Sequence, residues 1–176
     1  PLDTILTSSI SVVGVSIAEA GLSFAREFTF GEQTLSLGIT PKLLQVETIH
    51  YSQVINSDDE IGDVLDDAQY RKEYSDFNFD LGAAKVFGEE AQALTVGLVI
   101  KNLISQSYDT APDATGKTYA ISIEPQVRAG VAKRWGRRSV AADLDITKNQ
   151  SVGLGEDSQF LSVGAEYDLR YLQLRA

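Results

Sequence analysis

YAISIEPQVRAGVAKRWGRRSVAADLDITK, residues 119–148, decides the fold, because two strand-length runs of period-two alternation meet in it at one tight turn. In the first arm Tyr119, Ile121, Ile123, Pro125, Val127, Ala129 and Val131 share one face, and Ser122, Glu124, Gln126, Arg128, Gly130 and Arg134 share the other. After Trp135, Gly136-Arg137 places a glycine first in a two-residue loop, the preference of a type II′ turn. The second arm then aligns Val140, Ala142, Leu144 and Ile146. A turn at that point sets Trp135 against Arg138, Val131 against Ala142, Ala129 against Leu144 and Val127 against Ile146, so the two apolar faces coincide. The same register sets Arg128 across from Asp145, a favourable opposite-charge pair, and a one-residue slip would lose both matches.

Working outward, Phe77, Phe79, Leu81, Ala83 and Phe87 alternate up to a turn near residues 88–92, and Leu94, Val96, Leu98 and Ile100 alternate after it. With Glu90-Ala91 at the turn centre, Asp80 lies opposite Lys101. Leu35, Leu37, Ile39, Pro41 and Leu43 begin a long strand that runs to about residue 53, with Pro41 at a position needing no ladder donor or at a bulge. Residues 6–18 form an earlier strand, and EAGLSFAREF after it has the spacing of one or two helical turns in a connection. Near the end, Leu161, Val163, Ala165, Tyr167 and Leu169 alternate, the chain turns near Leu169-Arg170, and Leu172 and Leu174 resume.

The intervening stretches differ in kind. Around residues 57–72, Ser57 followed by Glu60 is a capping-box pattern, and Ile61, Val64, Leu65 and Ala68 recur at helical spacing, which predicts a short amphipathic helix in an acidic loop. Its Asp58, Asp59, Asp63, Asp66 and Asp67 could bind calcium but lack EF-hand spacing, and a solvated helix face accounts for them. Residues 102–118 and 149–158 read as long loops.

The 176 residues suit a single domain, with no Cys, no Met, one His and a formal charge of -10. A disulfide scaffold and thiolate metal sites are excluded. The acidic balance argues against a nucleic-acid partner, since Lys133, Arg134, Arg137 and Arg138 are the one basic cluster and they bracket a turn. No apolar run approaches the length of a membrane helix, and the start lacks the pattern of a signal peptide. A beginning without Met and an end in mid-alternation predict a fragment of a longer product.

About eight strands emerge, with compact connections after the first, third, fifth and seventh and long ones after the second, fourth and sixth, the asymmetry of an antiparallel up-and-down transmembrane β-barrel. Tyr119, Trp135, Phe77, Phe87 and Tyr167 suit an interfacial girdle, and Lys133 suits a side chain snorkelling from the lipid face. A soluble lipocalin-like barrel would alternate in the same way with its apolar face turned inward. The polar face favours the membrane arrangement, because Gly82, Ala84, Gly97, Gly130, Ala132, Ala141 and Gly164 crowd it among Asp80, Lys101, Glu124, Arg128, Asp143, Asp145 and Glu166. Those seven charges are expected in the lumen, paired across neighbouring strands as structural groups.

LSLGITPKL (35–43), DFNFDLGAAKVFG (76–88), LTVGLVIKNLI (94–104), IEPQVRAGVAKRWG (123–136), VAADLDITKN (140–149) and SQFLSVGAEYDLRYLQLRA (158–176) together resemble the plasmid-transfer TraF-type outer-membrane family, itself similar to the long-chain fatty-acid transporter barrels. The absence of a terminal aromatic sorting signal at Ala176 departs from a barrel's usual end. The resemblance implies a cell outer-membrane location with the lipid bilayer as partner. It further implies a channel or transporter for apolar small molecules or, alternatively, a structural or assembly component of a conjugation apparatus working with envelope proteins.

Catalysis has little to stand on. His50, the one histidine, lies in an alternating strand with no nucleophile elbow in the chain, and reads as a lumen or core residue. Gly153-Leu154-Gly155 lacks the strand-to-helix setting of a phosphate-binding loop. Asp143 and Asp145 share a face, but Arg128 opposite makes them part of a salt-bridge network. No enzyme activity, cofactor or metal is expected.

Overall fold

The computed structural model describes residues 8–31, 33–55, 68–113, 116–150, 157–169 and 172–175. Its strands are β1 (Ser8–Gly21), β2 (Phe24–Phe30), β3 (Gln33–Ile55), β4 (Arg71–Phe87), β5 (Leu94–Lys101), β6 (Gln106–Asp109), β7 (Ala120–Ile123), β8 (Gln126–Trp135), β9 (Arg138–Asp145), β10 (Asn149–Gln150), β11 (Asp157–Ser158), β12 (Leu161–Leu169) and β13 (Leu172–Arg175). Among the described residues nine strands form one antiparallel sheet in the order β1-β3-β4-β5-β8-β9-β12-β13, with β2 also on β3. The sheet is an open half-barrel, curled through 262° and not closed, where the alternation predicted an antiparallel barrel of about eight strands or a fragment of a larger one.

Neighbours in the sheet follow chain order, apart from insertions in the long connections, so most pairings are set locally by turns. At the β8–β9 turn Gly136 has a φ of +56° and Arg137 has no such left-handed φ, which is the type II′ geometry expected and not type I′. The register then runs Trp135↔Arg138, Val131↔Ala142, Ala129↔Leu144 and Arg128↔Asp145, as predicted. Short connections gather at one end of the sheet and long ones at the other.

Two corrections follow from prolines. EAGLSFAREF contributes β2, not helical turns. β1 ends with Gly21 facing Lys42 and β2 begins with Phe24 facing Ile39, so the two are one strand line interrupted opposite Pro41. Leu22 donates its N–H to the Pro41 carbonyl at 3.2 Å, and proline has no N–H to return the bond. Pairing with the long β3 overrides a helical tendency too short to hold alone.

Likewise, the first arm of the 119–148 hairpin is not one strand. It breaks at Glu124-Pro125, and β7 leaves the main sheet to pair with β6 as Gln106↔Ile123 through Asp109↔Ala120. The supposed loop 102–118 therefore carries half of a second small hairpin. Asn149↔Ser158 and Gln150↔Asp157 likewise pair within the predicted loop at 149–158. The helix predicted near 57–72 lies mostly outside the described residues, and Ala68–Tyr70 make a single 3-10 turn before β4.

The β6–β7 hairpin supplies the core. Leu44, Val46, Tyr108 and Ile123 form one buried cluster with Val15 and Tyr74 against it. Thr48, His50 and Asn78, on the same face of β3 and β4, are buried with them. This is the inner face, and it is lined elsewhere by Gly38, Gly82, Ala84, Gly97, Gly130 and Ala132, which register brings into line. The other face is apolar and exposed: Leu37, Ile39, Leu43, Phe77, Val96, Leu98, Val131, Leu144 and Val163 are all open. Ile121, expected on that outer face, is buried in the hairpin instead, because the break at Pro125 carries it inward. Tyr119 leaves the outer girdle for the same reason and packs edge-on to His50, ring centroids 4.9 Å apart.

Candidate functional site

The inner face holds two charged clusters. In the first, Lys42 is the inward residue that follows Pro41 on β3, and its side chain is 4% exposed. Its ammonium lies 3.0 Å from Asp80 and 3.3 Å from Glu19, and donates to Asn102 Oδ1 at 2.7 Å. Asn102 has a φ of 53°, a left-handed conformation that asparagine tolerates better than most residues. That turn aims its own N–H at Asp80 Oδ1, 2.9 Å away. Four strand regions are thereby tied at one buried cation, balanced by two carboxylates.

The second cluster lies on β8, β9 and the start of β12. Arg128 Nε donates to Asp145 Oδ1 at 2.5 Å, and the Phe160 N–H donates to Asp145 Oδ2 at 3.3 Å. Asp145 is buried although Arg128 is half exposed. Asp143 stands opposite Gly130, and a Cβ at Gly130 would collide with its carboxylate, so the glycine makes room for the acid. A groove of about 230 Å³ opens beside them, between Thr95, Gly97, Val99, Ala132 and Ala141.

The small hairpin is bolted over the inner face at the long-loop end. Tyr74 Oη and Thr48 Oγ1 both donate to the Asp109 carbonyl, at 2.7 and 3.1 Å. Asn78, fully buried, donates to the Ile104 carbonyl at 2.8 Å and accepts from the Ile104 N–H at 3.0 Å. His50 Nδ1 is 2.9 Å from the Ala111 carbonyl, which can only accept, so the proton sits on Nδ1. Of the two settings the sequence left open for His50, lumen or core, the buried one holds. Burial, with the Asp76 carboxylate beside it, pushes the Tyr108 phenol up to about 12.

Of the seven predicted lumen charges, Arg128 and Asp145 meet as expected. Asp80 and Lys101 flank the Leu81↔Ile100 pair in the expected register, but the Asp80 carboxylate turns to Lys42 and Asn102. Asp143 faces inward toward Gly130. Glu166 pairs with Arg175 Nε at 2.7 Å, across β12 and β13. Glu124 is not in a ladder at all, since it sits exposed in the break between β7 and β8. The residues missed were Lys42, Glu19, Asn78 and Asn102. Lys42 alone was legible, as a charge on the small-residue face of an alternating run. Among the described residues no group of three or more His, Asp or Glu is placed to hold a metal. The arrangement ties neighbouring strands to one another through ion pairs and hydrogen bonds.

Outside, the apolar surface has limits. Beyond Leu43 and Phe77 the outer face turns polar, with Gln45, Glu47 and Ser75, and Arg71 bound to Glu47 at 2.5 Å. At the other end its last outward rings are Phe30, Phe87, Trp135 and Tyr167, with Leu169 beyond the last of them.

The family model described as "F plasmid transfer operon, TraF, protein" matches residues 2–145, more than half of the chain. Comparison with curated proteins and with solved structures finds no match.

Proposed function

The chain belongs to the TraF family of the F plasmid transfer operon, and on that premise we propose that it is a structural component of a conjugation-type apparatus, set in the outer membrane as part of a β-barrel wall. The observation that carries the membrane placement is the bounded apolar band on the outer face. From Phe77 to Phe87 along β4 the strand rises about 34 Å, and at a tilt of about 40° this spans about 26 Å, close to the height of the lipid-facing band of outer-membrane barrels. Aromatic side chains stand at both limits, charge begins beyond Phe77 with Glu47 and Arg71, and toward Phe87 the outward Lys85 lies one step inside the limit. On this reading the lumen charges keep the wall's curvature and carry no catalysis.

A second reading, a channel for apolar small molecules on the pattern of the fatty-acid transporters, has less support. The β6–β7 hairpin covers the inner face at its long-loop end, and the remaining groove is lined by Arg128 and Asp143.

The test is envelope fractionation together with mating. The protein carrying this chain should float with outer-membrane lipid, resist carbonate extraction, and be needed for plasmid transfer. Recovery in a soluble fraction would overturn the membrane placement, and normal transfer frequency in its absence would overturn the conjugation role.

A further inference from the structure

The formal charge of the chain is -10, yet the described outward strand positions toward its short turns carry bases and no acid, with acids at Glu89 and Glu90 of the β4–β5 turn. The register places Lys85 on β4, Lys133 on β8 and Arg138 on β9 outward at this end, and Arg26 on β2 outward four residues in from its turn, facing Leu37. Three of them lie over rings that face the same way. Arg26 is 5.6 Å from the centre of Phe28, Lys85 is 4.8 Å from Phe87, and Arg138 is 5.7 Å from Tyr167. The fourth, Lys133, lies two residues before Trp135 and extends to the Gln92 carbonyl at 2.7 Å. Among the described strand residues at this end, the outward positions of β2, β3, β4, β5, β8, β9 and β12 carry no acid.

We propose that this rim is a binding surface for anionic phospholipid headgroups. The inference rests on the membrane placement above and adds the class of lipid. A ring at an interfacial girdle sits at headgroup depth, and a cation laid over it holds its positive charge at the same depth. The aliphatic stems of the two lysines follow the apolar wall while their heads stay at the polar boundary. A zwitterionic headgroup offers such a rim no net attraction, whereas a lipid of net negative charge does, and each basic residue near an anionic surface adds to it. Spacing the cations along the sheet, on β2, β4, β8 and β9, lets the rim take several lipids in a row.

The experiment refolds the chain into vesicles of phosphatidylcholine alone and of phosphatidylcholine with phosphatidylglycerol as the minority lipid, and measures partition by flotation. The wild type should favour the anionic vesicles by about tenfold or more at low salt, with the preference falling as salt is raised. The variant R26Q/K85Q/K133Q/R138Q should still enter phosphatidylcholine vesicles and lose the preference. The charge-preserving variant R26K/K85R/K133R/R138K should keep it, which protects the test should the neutral variant misfold. Equal partition of the wild type into both vesicles, or full preference in the neutral variant, would overturn the proposal. Failure of the wild type to enter either vesicle would instead overturn the membrane placement, and this proposal with it.

Discussion

Arg128 and Asp145 face each other directly across β8 and β9, with Nε 2.5 Å from Oδ1, and the acid is buried while the base is half exposed. Burial makes the acid the vulnerable partner, because without the guanidinium its charge keeps the Phe160 N–H but loses its cation. Arg128→Ala should lower the urea midpoint in lipid vesicles. The double change Arg128→Ala with Asp145→Asn should cost less than the two single losses added together, and strict additivity would show that the pair does not interact.

Lys42 should matter more than any other charge on the inner face. Its ammonium neutralises Glu19 and Asp80 together, and Lys42→Met would leave both carboxylates facing each other with Asn102 Oδ1 unpaid by a donor. Since Glu19 and Asp80 are partly exposed, the expected loss is below that of a fully buried pair, about 2–3 kcal/mol by denaturant unfolding. A loss under about 0.5 kcal/mol would mean that this junction does not organise the wall.

Tyr108 predicts an alkaline transition. Its phenol is raised from 10.0 to about 12, chiefly by burial, so folding favours the neutral form. The stability it contributes is therefore complete below about pH 10 and declines as pH rises through 12. Tyrosinate absorbance should show a last ionisation accompanied by protease sensitivity at the β6–β7 hairpin, and Tyr108→Phe should abolish that last step. Complete ionisation of all tyrosines near pH 10 with the hairpin intact would contradict it.

Leu98 faces outward at mid-strand and is 39% exposed. In water, Leu98→Arg should be close to neutral. In a bilayer it should cost about 2–4 kcal/mol, because the charge would lie near the middle of the apolar band. Vesicle and detergent-free aqueous measurements on the same variant separate the two environments.

How much could be read beforehand depends on the distance over which each feature is decided. Alternation in β8 and β9, a glycine-first turn at Gly136-Arg137 and opposed charges at Arg128 and Asp145 are local, so the sequence by itself determined the main strands of the two hairpins, their register, the alternation of short and long connections and most of the outward apolar set. Period-two patterning admits few other pairings once a two-residue turn is placed.

Only the tertiary structure decided what the long connections do. The arm from Tyr119 to Val131 alternates without a fault, yet the chain leaves the sheet at Pro125, because β6 offers β7 a partner and the apolar inner residues Leu44 and Val46 need a cover. Asp80 abandons Lys101, its neighbour in register, for Lys42 on the next strand, because curvature and burial place that cation nearer and drier. Glu19, Lys42, Asp80 and Asn102 are far apart in the chain, and nothing in local pattern names them as partners. The curl of 262° is likewise a property of the whole sheet, the accumulated bend of many strands and small inward residues, which no single stretch encodes.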